Sequence, residues 1–130
     1  MQRPISPVVI SVPHAGRAYP VGMAEKVRLP LDRLRPLEDR HADLLADLAR
    51  ERGIATLVAQ TPRSWIDLNR SESDHDPLLV SLPPGITAGT GPKVRAGLGL
   101  VPRRLARGGD IWRNPLSLAE VHERIERVRS

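Results

Sequence analysis

The chain has 130 residues, enough for one domain with its own core. Hydrophobic residues make up 40%, which excludes a disordered polymer, and the absence of cysteine excludes disulfides and thiolate metal sites. The formal charge of +5 is carried almost wholly by arginine. Those arginines alternate with Asp and Glu through residues 25–52, and aromatic residues that would stack on bases are nearly absent, which argues against a nucleic-acid partner.

Residues 8–12 form a β-branched run ended by Pro13 and are predicted to be a buried strand. His14-Ala15-Gly16 then falls in the loop at that strand's C-terminal end, the edge where open α/β sheets place ligands. Residues 19–36, broken by prolines at 20, 30 and 36, are expected to run over the surface. From Leu37 to Arg52, Leu37, Leu44, Leu45 and Leu48 recur at helical spacing, extended by alanines at 42, 46 and 49. Gly53 provides the stop, as a residue tolerant of positive φ. Residues 54–59 read as a second strand, giving a right-handed parallel βαβ unit, and Trp65–Asn69 as a further extended segment.

Residues 71–115 carry seven of the ten glycines and show no period, so a long Pro/Gly-rich loop region is expected. Beyond it Ser117 and Glu120 stand at capping-box spacing before a helix whose Leu118, Val121, Ile125 and Val128 form an apolar stripe. The expected organisation is a single α/β domain over 1–130, with a parallel or mixed sheet and flanking helices. Residues 1–70 would hold the βαβ core, 71–115 the loop region and 116–130 a terminal helix. No apolar run approaches the ~20 residues that span a bilayer. The segment after Met1–Pro4 is too short for a signal peptide, so a cytoplasmic protein without membrane partners is expected.

Three clusters carry candidate chemistry. His14, between Pro13 and the small residues Ala15 and Gly16, is placed to ligate a metal through one ring nitrogen while the other is held by an acceptor. A strand-end histidine satisfied by a backbone carbonyl is the plainer alternative. Glu38-Asp39-Arg40-His41 opens the predicted helix, either as carboxylates complementing its dipole or as a metal ligand aimed at the sheet edge, with His41 turned to another face. In Arg63-Ser64-Trp65-Ile66-Asp67-Leu68-Asn69-Arg70, guanidinium groups and an amide suit a bound carboxylate, with Asp67 orienting an arginine; a structural ion pair would use the same residues.

In this order the segments Ser11–Gly16, Glu38–Leu45, Arg63–Arg70 and Gly97–Arg103 resemble the N-formylglutamate amidohydrolase family, relatives of the zinc carboxypeptidases and aspartoacylases. The resemblance implies a zinc exopeptidase-like hydrolase fold and a reaction of N-formyl-L-glutamate, or a similar N-acyl amino acid, with water to formate and glutamate. It implies that His14 binds zinc, with Asp39 as carboxylate ligand and Glu38 as the alternative. Arg63 would polarise the carbonyl, while Asn69 and Arg70 would grip the substrate carboxylate. It hints at histidine degradation. Family members continue into a second half, where an Asp-x-His-Ser type motif is expected to supply the remaining zinc ligand and a later carboxylate the general base. The chain is therefore expected to be a C-terminally truncated domain with an incomplete site. A non-catalytic remnant that binds an anion through Arg63 and Arg70 is the rival reading.

Overall fold

A computed structural model describes residues 7–107 and 109–129. Strand β1 (Val9–Val12) leads through a loop to a short helix α1 (Met23–Lys26) and a 3-10 helix (Leu31–Leu37). Helix α2 (Ala42–Glu51) and strand β2 (Ala55–Val58) follow. The strands pair in parallel, Val9 beside Ala55 through Val12 beside Val58, and α2 packs on both. The βαβ unit expected from the sequence is therefore present. Gly53 has φ 78°, the left-handed conformation that ends the helix where the sequence places the stop.

Burial within this unit departs from expectation. β1 is not a buried strand: Val9 and Ser11 are exposed while Ile10 and Val12 are partly covered. A lone helix can cover only one face of a two-stranded sheet, and side chains alternate between faces. Helix α2 turns Ala46 and Ala49 inward and leaves Leu44, Leu45 and Leu48 exposed. Small alanines let the helix sit close to the strands, so the leucines flank the contact. Leu37 lies outside α2, in the 3-10 helix.

The main core lies elsewhere. It gathers Met23, Val27, Leu34 and Leu37 with Trp65, Ile66, Leu79, Val80, Leu100, Val101, Leu105, Ile111 and Trp112, and closes with Leu116, Val121 and Ile125. Residues 19–36 do not merely cross the surface, since Met23, Val27 and Leu34 join this cluster. Residues 71–115 are mostly without helix or strand, as expected of a loop region, but they are packed into the core. They hold β3 (Val80–Ser81), α3 (Pro92–Arg95), β4 (Arg104–Leu105) and β5 (Gly109–Asp110). Their backbone is tied down by specific polar contacts rather than by long ladders. Leu100 N–H donates to Asp74 O at 2.8 Å, and Arg103 Nε donates to the buried Asp76 carboxylate at 2.7 Å. Gly99 passes so close to Asp74 that a Cβ there would lie 2.6 Å from its carbonyl oxygen.

Strand β6 (Leu116–Ser117) pairs in parallel with β3, and β4 pairs antiparallel with β5. Helix α4 (Leu118–Arg129) then packs Val121 and Ile125 into the core. The predicted cap is formed: Glu120 N–H donates to Ser117 Oγ at 3.1 Å. Trp65–Asn69 is not extended; Trp65 N–H donates to Pro62 O at 2.9 Å in a turn. Among the described residues no helix is long and apolar enough to cross a membrane.

Candidate active site

The loop that leaves β1 is drawn tight against the chain beyond β2. Ala18 N–H donates to Gln60 O at 3.0 Å, and a Cβ on Gly16 would lie 2.2 Å from Thr61 O, so only glycine fits that approach. This crossing fixes His14, which is buried. Its carbonyl accepts the Asp39 N–H at 2.8 Å and so brings the entry to α2 beside it.

Three side chains converge on the His14 ring, and a fourth joins through one of them. Nε2 lies 2.6 Å from Oδ1 of Asp67, which is itself buried. Nδ1 faces Arg63 Nη2, with which it is hydrogen-bonded, and Asp39 Oδ2 at 3.6 Å. A guanidinium only donates, so Nδ1 carries the lone pair and Nε2 carries the proton given to Asp67. Arg70 joins through Asp67, its Nε 3.8 Å from Oδ2. The Nε atoms of both Arg63 and Arg70 are buried without a hydrogen-bond partner.

The structure brings His14, Asp39, Arg63 and Arg70 together as the sequence suggested. Asn69 enters only through its backbone N–H, which donates to Asp67 Oδ1 at 2.9 Å, and its side chain is exposed. Glu38 points elsewhere: its carboxylate accepts the Tyr19 hydroxyl at 2.5 Å and pairs with Arg40 at 2.7 Å. Burial, reinforced by that bond to Glu38, pushes the Tyr19 phenol above its ordinary range. His41 is exposed at the start of α2 with φ 74°, a left-handed conformation rare for a residue with a side chain. Asp67 lies beside an arginine, Arg70, as the sequence suggests, but its closest contact is His14, 53 positions away.

A zinc ion, implied by the resemblance, is matched by part of this arrangement. A metal-binding imidazole needs a free lone pair on one nitrogen and an acceptor holding the other, and His14 has both. Nδ1 and the Asp39 carboxylate would be the donors, with Arg63 displaced from the lone pair. A zinc site takes three protein ligands and an open position. Among the described residues no group of three His, Asp or Glu side chains is spaced to hold a metal. A cleft of about 830 Å³ between the 3-10 helix and Leu105–Arg107 shares no residue with this cluster.

The fold and the cluster together define an α/β chain whose histidine, carboxylates and arginines meet at the C-terminal end of a parallel strand. The chain belongs to the N-formylglutamate amidohydrolase family, whose sequence model matches residues 6–128. The crystal structure of N-formylglutamate amidohydrolase from Ralstonia eutropha JMP134 is similar, with 34% identity and a TM-score of 0.84. That match covers 96% of this chain and 45% of the other, so the chain spans less than half the length of its relative. No curated relative matches.

Proposed function

We propose that this chain contributes the histidine–aspartate half of a zinc amidohydrolase site, in a zinc exopeptidase-like fold, acting on an N-acyl amino acid of the N-formylglutamate type. The observation that carries the reading is the His14 ring, held by buried Asp67 on one nitrogen and offering its other lone pair beside Asp39. When bound, zinc supplies Lewis acidity and lowers the pKa of water. The rest falls to the chain's own residues. Asp67 fixes the ring and its tautomer. Arg63, moved from the ring, places positive charge where an amide oxygen gains negative charge. Arg70, drawn beside Asp67, is placed to hold a substrate carboxylate in a charge-assisted bond, and Asn69 lies next to it.

The two guanidinium groups gathered around His14 and Asp67 also favour a second reading, an anion-binding remnant without metal. Zinc titration of the purified chain, alongside His14→Ala and Asp39→Ala, separates the two. One zinc per chain, lost in both variants and kept in Glu38→Gln, is expected. No zinc uptake by a folded chain that still binds glutamate or formate would leave only the remnant.

A further inference from the structure

Two distant segments, around Val27 and around Trp112, meet in a short antiparallel bridge. Arg28 N–H donates to Ile111 O at 2.7 Å, and Arg113 N–H donates to Lys26 O at 2.9 Å. The side chains of the same two arginines repeat the exchange. Arg28 Nε donates to Trp112 O at 2.8 Å, and Arg113 Nε donates to Val27 O at 2.9 Å. Val27 and Trp112 are buried, and the Trp112 indole is held by Pro102 O at 2.8 Å, so the anchoring carbonyls are fixed. Each guanidinium is tied down by its Nε alone. Among the described residues, the Nη atoms of Arg28 and Arg113 make no hydrogen bond or ion pair.

Both arginines line a cleft of about 140 Å³, shared with Arg103, Asp110, Asn114 and Leu78. Arg103 is already engaged: its Nε lies 2.7 Å from the buried Asp76 carboxylate and its Nη1 3.8 Å from Asp110. That leaves two pinned guanidiniums with free donors on one small cleft. A pinned fork loses little freedom when a ligand arrives, and its geometry matches the oxygens of a phosphate. The cleft is far smaller than those that take drug-sized ligands, which limits the occupant to a compact group. Bracing the bridge needs only the Nε atoms and does not account for two free forks side by side.

We propose that this cleft binds a phosphate anion, free or as the terminal group of a small monoester. Arg28 and Arg113 supply charge-assisted donors and Asn114 an amide, while Asp110 holds the affinity down by repulsion. A carboxylate satisfies one fork but not two. The lining shares no residue with the His14 cluster, so the site stands apart from the zinc reading.

Calorimetric titration of the metal-free chain with inorganic phosphate is the test. One saturable phosphate per chain is expected, bound roughly tenfold more weakly in Arg28→Gln and in Arg113→Gln. Asp110→Asn, an isosteric change at an exposed side chain, should tighten binding at least twofold, and it decides the matter alone if the arginine variants unfold. Phenyl phosphate, run alongside, names the source. Tighter binding than inorganic phosphate, with the gain lost in Leu78→Ala, supports a phosphorylated metabolite; equal or weaker binding supports free phosphate. The proposal is overturned by a folded chain that takes up no phosphate, by acetate binding as tightly, or by an affinity unchanged in Asp110→Asn. Loss of phosphate in Arg70→Gln with Arg113→Gln unaffected would move the anion to the His14 cluster and overturn it as well.

Discussion

Asp67 shows how much a single residue controls in this site. It is buried, accepts from His14 and from the Asn69 backbone, and is fixed at its own N–H by a 2.7 Å bond to Leu100 O. Asp67→Asn keeps the shape but replaces a full charge with a dipole and alters the tautomer demanded of His14. Partners of this kind are worth about 10–100-fold in metal affinity. On the proposed zinc reading, calorimetric titration of the variant should show zinc affinity lower by that factor while secondary structure is retained. Gly16→Ala is expected to do harm of another sort, since its Cβ would meet backbone rather than a movable side chain. The loss should be about 2 kcal/mol or more of stability, read by urea unfolding. His14 and Asp39 were legible in the sequence because small neighbours and motif order mark them. The Asp67–His14 bond was not, because spacing along a chain cannot tell which of several charged neighbours a buried carboxylate will meet across 53 positions.

Among the elements, α4 shows a role absent from its sequence pattern. The apolar stripe predicted its packing through Val121 and Ile125, but Arg124, between them, is not part of that stripe. In the fold Arg124 is buried, its guanidinium 3.5 Å from the Trp65 ring centroid and 4.7 Å from that of Trp112. Its Nη1 donates to Trp65 O at 2.9 Å, two residues before Asp67. Burial lowers its pKa to about 10, so it stays charged at neutral pH and the cation–π contact persists. Arg124→Met should cost about 2–4 kcal/mol, combining a desolvated cation–π contact with a charged hydrogen bond. Urea unfolding followed by tryptophan fluorescence measures this directly, since both rings touch the substituted side chain. The packing of the 71–115 region was not legible in the sequence for a related reason. Its order comes from isolated polar ties such as Arg103–Asp76, which leave no periodic trace in sequence.

At the scale of the whole molecule, the parallel βαβ unit could be read from hydrophobic runs and one glycine, whereas the core around the two tryptophans could not, since it is assembled from short pieces with long intervals between them. One consequence of that assembly is testable through pH. His75 is buried in the 71–115 region, its Nδ1 without a hydrogen-bond partner. Burial lowers its pKa below the ordinary 6.5, nearby His122 on α4 adds to the lowering, and Asp74 opposes it. The unfolded chain therefore takes up a proton at His75 near pH 6.5 while the folded chain does not. Between 6.5 and the lower folded value the unfolded state binds more protons, so stability is fully present above 6.5 and falls as the pH drops through this window. The slope from this one group is at most about 1.4 kcal/mol per pH unit. Urea midpoints measured at pH 7.5 and pH 5.5 should fall in that direction, and His75→Gln, which cannot titrate, should flatten the difference. An equal fall in the variant would assign the loss to other groups and remove His75 as its source.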